Sequence, residues 1–525
     1  MAVQDMGAST SLDDLVKRYG AAYPWLVAVT TVSAFSTAVL TSSIVNVAVP
    51  DVMGAFGVGQ DQVQFLATAF FATMTASLLI SPWITDKFGV QMTFSASLIL
   101  FSIGSMISTL GPNLAVVILG RIVQGFGSGV LQPLVMMALV QAFPPARRGL
   151  AMGLFSLGIV FSHGIAPYMG GVIIDAFNWR LIFLLPLPIV VFAFVMGLLI
   201  LPARPKGTDA PFDWLGFSLL GITTFCIMTV IADGQREGWL SNSILTRTLI
   251  FIITGAAFIA TQIFGKTKIM ELSLFRFMPF AAAIAISFVY GLINFSAIYL
   301  YPVFSQLVQY YTPTNAGLLL LPGALCAVAI LPFTGKFADN VPPQFGIAVG
   351  LCLFGVSNVI LAASDVSTTF WAIAILIVIG RVGFAFMTPS MMSVALNSVP
   401  AEKIGEASAI VNFMMLFGGA IGINALVVLL DQRTQIHSEA FTATQTSANP
   451  ITLELLDNVA RVLGEEGFPE LLRSPVALNY LGDMVHAQAN TFGFQDAFSA
   501  IAIVAFIGFI PATILHISNR RSRNM

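Results

Sequence analysis

Apolar runs recur along the whole chain, and this pattern restricts the fold more than any other feature of the sequence. A run of about 20 apolar residues is long enough to cross a bilayer as a helix. Of the 525 residues, 57% are hydrophobic and 9% are charged, whereas roughly 25% are charged in soluble domains. We therefore predict an all-α polytopic membrane protein with fourteen transmembrane helices, which start near Trp25, Val63, Met92, Leu114, Leu150, Leu181, Trp214, Ile244, Phe280, Gly317, Phe345, Trp371, Ala407 and Phe494.

The charged residues predict the orientation of the chain. An even number of spans places both termini on one side, and most of the 23 basic residues lie in segments on that side. Because cytoplasmic loops carry an excess of basic residues, we predict that both termini are cytoplasmic. The net charge of −2, without a basic patch, excludes nucleic acid as a partner. The polar N-terminal segment lacks a cleavage site and predicts no removable signal peptide.

The spacing of the runs predicts the organisation of the chain. One long stretch between spans is polar and acidic, and its residues 451–463 have the periodicity of a short amphipathic helix. This stretch is either a solvated lid or a docking surface. The predicted segments are a cytoplasmic N-terminal segment at 1–24, an N-terminal six-helix bundle at 25–203, two additional transmembrane helices at 214–265, the first five helices of a C-terminal bundle at 279–430, an external loop at 431–493, the last transmembrane helix at 494–518 and a cytoplasmic tail at 519–525.

An internal repeat indicates two halves built on one plan. The pair Gly120-Arg121 is echoed by Gly380-Arg381. A larger set in the fourth span and the segment after it recurs 256 positions later: Pro133, Met136, Pro144, Arg147, Gly149 and Ala151 return as Pro389, Met392, Pro400, Lys403, Gly405 and Ala407. Parallel repeats of this kind place a binding cavity between two helical bundles, near the membrane midplane. The repeat therefore predicts the architecture of a transporter.

Polar, aromatic and methionine side chains in the middle of the spans are candidates for lining this cavity. Polar groups are costly in lipid and tend to face a bundle interior or a cavity, and methionine adapts its shape to different ligands. The alternative for each polar residue is an interhelical hydrogen bond. The candidate substrate-binding residues are Asn46, Gln132, Met136, Tyr290, Asn294, Met392 and Asn412.

Three motifs carry a resemblance to a known family. They are GRIVQGFGSG at 120–129, GIVFSHGIAPYMGG at 158–171 and PWITDKFG at 82–89. The chain resembles the fourteen-span drug:proton antiporter branch of the major facilitator superfamily, and it is similar to Emr-type multidrug exporters over nearly its whole length. The resemblance implies a major facilitator fold of two six-helix bundles with two extra central helices.

The resemblance also implies roles for individual residues. In the family, the arginine that matches Arg121 is tied to proton coupling and to the substrate cavity. The alternative is an arginine that only clamps neighbouring carbonyl groups. Asp86 and Lys87 match residues that act at the inner gate, but Val90 and Gln91 replace two basic residues of the family pattern.

The fifth span matches the antiporter motif of the family. Small residues at this spacing let the helix approach a helix of the other bundle closely, and a proline bends it. The motif implies export rather than uptake, and the alternative is an ordinary close-packed helix pair. Its residues here are Gly153, Ser162, Ala166, Pro167, Gly170 and Gly171, with Ser162 and Ala166 in place of family glycines.

One departure from the family concerns the proton route. Thr41 occupies the place of a first-span acid, and threonine does not carry a proton at physiological pH. His163 has a side chain that titrates near neutral pH, and we hypothesise that it carries the coupled proton. The alternative is a neutral histidine bonded to a backbone carbonyl.

These features predict a secondary active exporter of hydrophobic or amphipathic small molecules, that is, multidrug efflux by proton antiport and alternating access. The alternatives are an exporter of one metabolite or lipid-like compound, and a membrane sensor that does not transport. The sequence has no Ser-His-acid set, metal-ligand cluster or phosphate loop, so we predict neither an enzyme nor a metal or cofactor site. The resemblance also allows a periplasmic membrane-fusion adaptor and an outer-membrane channel as partners.

Overall fold

The computed structural model of the protein describes residues 12–144, 147–203, 211–400 and 403–515. Within these ranges the regular secondary structure is entirely helical, as expected where backbone groups must be satisfied without water. The predicted N-terminal segment is described only from residue 12 onward, and the predicted tail at 519–525 lies outside the described residues.

The described helices are numbered in chain order. They are α1 (Leu12–Tyr19), α2 (Tyr23–Ile44), α3 (Val49–Phe56), α4 (Gln60–Val63), α5 (Phe65–Phe88), α6 (Val90–Leu110), α7 (Leu114–Ala142), α8 (Arg148–Ala176), α9 (Leu187–Ile200), α10 (Trp214–Glu237), α11 (Asn242–Phe264), α12 (Met278–Leu307), α13 (Pro313–Leu318), α14 (Leu321–Asn340), α15 (Pro343–Leu361), α16 (Phe370–Asn397), α17 (Ile404–Thr444), α18 (Pro450–Glu465) and α19 (Glu470–Ile507).

Within the described ranges, fourteen helical segments are long and apolar enough to cross a membrane, which confirms the predicted number of spans. Side chains cap several of their ends: Asn113 accepts a hydrogen bond from the Val116 amide (3.0 Å), and Asp213 accepts one from the Gly216 amide (2.8 Å). Such caps satisfy amides that lack a partner in the first helical turn. The polar loops between the apolar runs therefore begin and end the spans.

The structure differs from the sequence-based expectation at the predicted external loop. Residues 431–444 continue α17, and residues 470–493 belong to α19. Charged residues do not end a helix once it leaves the bilayer, because water solvates their side chains while the backbone ladder continues. Between these extensions lies α18, which covers the amphipathic stretch predicted from the sequence.

Two halves and an additional pair of helices make up the membrane part. We call α2–α9 the N-terminal half, and α12–α17 with α19 the C-terminal half. The halves meet where α8 packs against α13 and α14, and where α5 packs against α17. Helix α10 contacts both α5 and α17, while α11 packs on α10. The additional pair therefore lies beside one of the two seams between the halves.

The two membrane faces need neutral names. We call the face that carries Leu12 and Leu515 the proximal face, and the face that carries α18 the distal face. The spans alternate between these faces along the chain.

Candidate functional site

The distal part of the interface between the two halves is closed by polar contacts. Gln306 of α12 donates to the Val47 carbonyl at 2.9 Å, and Asn46 donates to the Ile298 carbonyl at 3.5 Å. Both contacts join a 3₁₀ segment that follows α2 to α12 of the opposite half. Asn46 is therefore an interbundle residue, only 1% exposed, and its predicted contact with substrate stays a prediction.

The antiporter motif forms a second distal seam, along α8. A Cβ atom added at Gly171 would overlap the Pro313 carbonyl oxygen, and one added at Gly317 would overlap that of Pro167. Gly164 lies in the same way against the Ala324 side chain. Helix α8 approaches α13 and α14 so closely because Gly164, Gly171 and Gly317 lack side chains.

The remaining motif residues differ in their surroundings. Ser162 and Ala166 are 3% and 0% exposed, and Gly170 faces the Ile44 side chain of its own half. Gly153, near the proximal end of α8, has no atom within 4 Å of an added Cβ. The close approach of the two halves is therefore a property of the distal part of the motif.

His163 lies on α8 at the middle of the interface. Its Nδ1 atom is 3.1 Å from the Ile159 carbonyl oxygen. Because that oxygen can only accept, Nδ1 carries the hydrogen, and Nε2 of a neutral ring remains a free acceptor. Nε2 has no hydrogen-bond partner among the described residues. This geometry matches the alternative of a neutral histidine bonded to a carbonyl.

Aromatic rings from both halves surround His163. Its ring centroid is 6.1 Å from that of Phe295 on α12, and the Phe295 ring is 4.6 Å from that of Phe71 on α5. Such separations are typical of favourable aromatic pairs. The middle of the interface thus combines an imidazole with two apolar rings, one from each half.

Arg381 of α16 contributes a positive charge to the same region. Its Nη1 atom donates to Asn294 at 3.1 Å, and its charge acts electrostatically on His163 across the interface. Two turns further along α16, Thr388 donates to the Tyr290 hydroxyl at 3.1 Å. We call Phe71, His163, Tyr290, Asn294, Phe295 and Arg381 the central cluster.

Arg121 has a different environment from Arg381. It is 0% exposed, its Nε donates to the Leu66 carbonyl at 2.8 Å, and its Nη1 donates to Gln124 at 3.0 Å. The guanidinium also lies 4.1 Å from the Phe70 ring centroid. All of these partners belong to the N-terminal half, so Arg121 has the contacts of a clamp inside that half.

Four further candidates lie closer to the proximal face. Gln132 donates to the side-chain oxygen of Asn412 at 3.0 Å, which joins the two halves through α7 and α17. Asn412 in turn donates to the Ser408 carbonyl at 2.8 Å. Met136 and Met392 are half-buried. The structure therefore brings Gln132 and Asn412 together. Asn294 and Tyr290 instead bond to Arg381 and Thr388, which belong to their own half.

The proximal face carries the predicted gate residues. The Lys87 ammonium lies 4.9 Å from the Trp83 ring centroid, a favourable cation–π geometry. Asp86 is half-buried, and none of the ion pairs found among the described residues includes it. Trp83 also packs on Phe212, at 5.2 Å between centroids, which joins α5 to the segment before α10.

An ion pair on the proximal face connects the segment after α11 to the start of α17. Lys403 Nζ lies 3.8 Å from a Glu271 oxygen and donates to Ser273 at 3.3 Å. Hydrogen bonding to Ser273 lowers the pKa of Glu271, burial opposes this effect, and the charges of Lys403 and Lys268 lower the pKa further. The carboxylate form is thus stabilised in the folded protein.

One groove lies away from the interface. It has a volume of about 600 Å³ and is lined by apolar side chains of α6, α7 and α9, among them Ile103, Met106 and Phe194. It opens on the outer surface of the N-terminal half. Within the described residues no group of three or more His, Cys, Asp or Glu side chains could hold a metal.

Sequence reasoning missed Arg381 as a site residue, along with Phe71 and Phe295. The echo of Gly120-Arg121 in Gly380-Arg381 was the available signal, because it marks a second arginine at membrane depth. Phenylalanines gave no signal, since 44 of them are spread through the chain.

Comparisons with known proteins agree with this architecture. Residues 31–423 match the model of the Major Facilitator Superfamily. The chain is 25% identical to "Multidrug export protein EmrB" of Haemophilus influenzae, covering 90% of this chain and 91% of that protein. It is 24% identical to "Uncharacterized MFS-type transporter YhcA" of Bacillus subtilis, covering 91% and 90%.

Solved structures show the same fold. A bacterial homolog to the human lysosomal transporter Spinster superposes with a TM-score of 0.65 at 14% identity, covering 95% of this chain and 98% of that one. The family match spans well over half of the chain, and the described fold has the fourteen spans and the two halves that the sequence predicts. The chain is thus a membrane transporter that belongs to the Major Facilitator Superfamily.

Proposed function

We propose that this transporter exports hydrophobic or amphipathic small molecules by alternating access. The observation that carries the proposal is the interface between the halves, which is sealed on the distal side and contains the central cluster at its middle. A small number of polar groups among aromatic walls is the usual character of a small-molecule site. The similarity to EmrB, a multidrug export protein, supports the same substrate range.

We propose further that the proximal face is cytoplasmic. Basic residues on this face include Lys17, Arg18, Lys87 and Lys403, in keeping with the positive-inside rule. With this orientation the two distal seams, at α12 and along α8, lie on the external side. The protein then belongs in a bacterial inner membrane.

Proton antiport is the proposed source of energy. Thr41 is fully buried and brings no ionisable group to the first span, so His163 is the proposed proton carrier at membrane depth. Arg121 holds the helices around it in place, and Asp86 with Lys87 acts at the cytoplasmic gate. Apolar side chains exposed on the distal extension, such as Leu471 at 91% and Ile451 at 76%, support an adaptor as a partner there.

The experiment compares accumulation of a fluorescent hydrophobic dye in cells with and without the protein. We expect lower accumulation in cells that have it, and we expect the difference to vanish when an uncoupler collapses the proton gradient. An unchanged difference after uncoupling would contradict proton antiport. Equal accumulation for a panel of dyes, with binding retained, would favour the sensor, and efflux of one compound class alone would favour a dedicated exporter.

A further inference from the structure

The charges at the middle of the interface restrict what the proposed site can bind. Of the two arginines at membrane depth, Arg121 is sealed, with an Nη2 atom that is fully buried and lacks a partner. Arg381 is only half-buried, and none of its nitrogens is among the fully buried atoms without a partner. Because a guanidinium at this depth does not face lipid, its accessible N–H groups face the space between the halves.

No carboxylate among the described residues neutralises Arg381. None of the ion pairs found within 12–144, 147–203, 211–400 and 403–515 includes it. Its side-chain hydrogen bond goes to Asn294, a neutral amide. Buried charges in proteins are normally paired, so this guanidinium lacks the counter-ion that its environment calls for.

The rings around Arg381 are arranged to hold an apolar body beside an anion. The ring centroids of Tyr290 and Phe384 are 5.0 Å apart, edge-to-face, and those of Phe71 and Phe295 are 4.6 Å apart. Gly323 on α14 packs directly against the aliphatic stem of Arg381, since a Cβ added there would lie only 3.0 Å from the arginine Cγ.

We infer that this site selects organic anions with an aromatic or apolar body, whose anionic group pairs with the Arg381 guanidinium. The inference rests on the proposed function, because it names the substrate class of the same site. A planar guanidinium binds a carboxylate through two parallel hydrogen bonds. Lipophilic cations are disfavoured, because the described part of the cluster offers them a like charge and no carboxylate.

The test uses three probes that share a naphthalene body and carry a carboxylate, a carboxamide or an aminomethyl group. Binding is measured by equilibrium dialysis with the full-length protein in lipid nanodiscs. We expect the carboxylate to bind about tenfold more tightly than the carboxamide, and the amine to bind most weakly. Arg381→Gln removes this preference, whereas Arg381→Lys keeps part of it because the charge remains.

The control is Arg461→Gln, which removes an arginine that is 60% exposed on α18, far from the cluster. This variant keeps the wild-type preference. Equal binding of the three probes, a preference for the amine, or a preference for the carboxylate that survives Arg381→Gln would each overturn the inference. Thermal unfolding of each variant is recorded in parallel, so that a loss of preference is separated from a loss of folding.

The same probes separate this inference from the proposed function. Their uptake into proteoliposomes measures transport independently of binding. If the carboxylate binds through Arg381 but is not transported, the anion site stands and the exporter proposal fails. If all three probes are transported equally, the exporter proposal stands and the anion selectivity fails.

Discussion

Gly171→Ala tests the proposed role of the distal seam in alternating access. An added methyl group would overlap the Pro313 carbonyl oxygen, and the Pro313 carbonyl carbon and Thr314 Cα are also in close contact. All three atoms belong to the backbone, so they cannot rotate away as a flexible side chain can. Overpacking of this kind costs about 1–3 kcal/mol, and the cost is paid only when the halves are in contact. The ratio of distal-closed to distal-open molecules therefore falls by about 5- to 150-fold.

Gly153→Ala is the matched control on the same helix. Both substitutions improve intrinsic helix propensity by about 1 kcal/mol, and this gain is equal in the two conformations. Gly153 has no atom within 4 Å of the added group, so its substitution leaves the equilibrium unchanged. The pair isolates the steric effect of Gly171 at the seam.

The assay is a distance measurement between spin labels on the distal face. Labels at Ala55 of α3 and at Val366, which follows α15, report on opposite halves and are both at exposed positions. The native residues Cys226, Cys326 and Cys352 are first replaced. Gly171→Ala is expected to shift the population toward long distances, and a distribution identical to that of Gly153→Ala would refute the steric argument.

Three further predictions concern stability and orientation. Arg121→Ala lowers the thermal stability of the purified protein by about 1–3 kcal/mol, because the Leu66 carbonyl and Gln124 lose buried hydrogen bonds; unchanged stability would contradict the clamp. The pKa of Glu271 is lowered in the folded protein, so its ion pair stabilises the fold at pH above the unfolded-state pKa of about 4.3, and this stabilisation is lost as the pH falls through the folded-state pKa. The melting temperatures of Glu271→Gln and wild type are therefore expected to differ at neutral pH and to converge in acid. An epitope inserted at Ala448 is accessible to protease in intact cells while a C-terminal tag is protected, and the reverse pattern would invert the proposed orientation.

The number of spans followed from the sequence because lipid imposes a simple rule on length and composition. A helix needs about 20 apolar residues to cross the hydrocarbon, and this requirement is local. The extent of α17 was not predictable in this way. Its apolar part ends near Leu430, but the helix continues to Thr444, because the aqueous part of a helix carries no hydropathy signal.

The site was harder to predict, because it depends on which face of each helix meets which neighbour. The sequence marked both Arg121 and Arg381 as arginines at membrane depth, but only packing decides that the first is fully buried inside one half and that the second is half-buried beside Asn294. Similarly, Gln132 and Asn412 were both candidates, and their contact joins residues 280 positions apart. Local periodicity contains no information about such pairs.

The central claim is that this transporter moves its substrate against a gradient, with protons as the driving ion. Its most direct test is a measurement with purified protein in proteoliposomes, in which a pH gradient is imposed and a fluorescent hydrophobic substrate is followed over time. We predict that the substrate accumulates above its equilibrium level, in the direction opposite to proton flow, and that this accumulation collapses when a protonophore is added. Accumulation that never exceeds equilibrium, or that is unaffected by the protonophore, would contradict it.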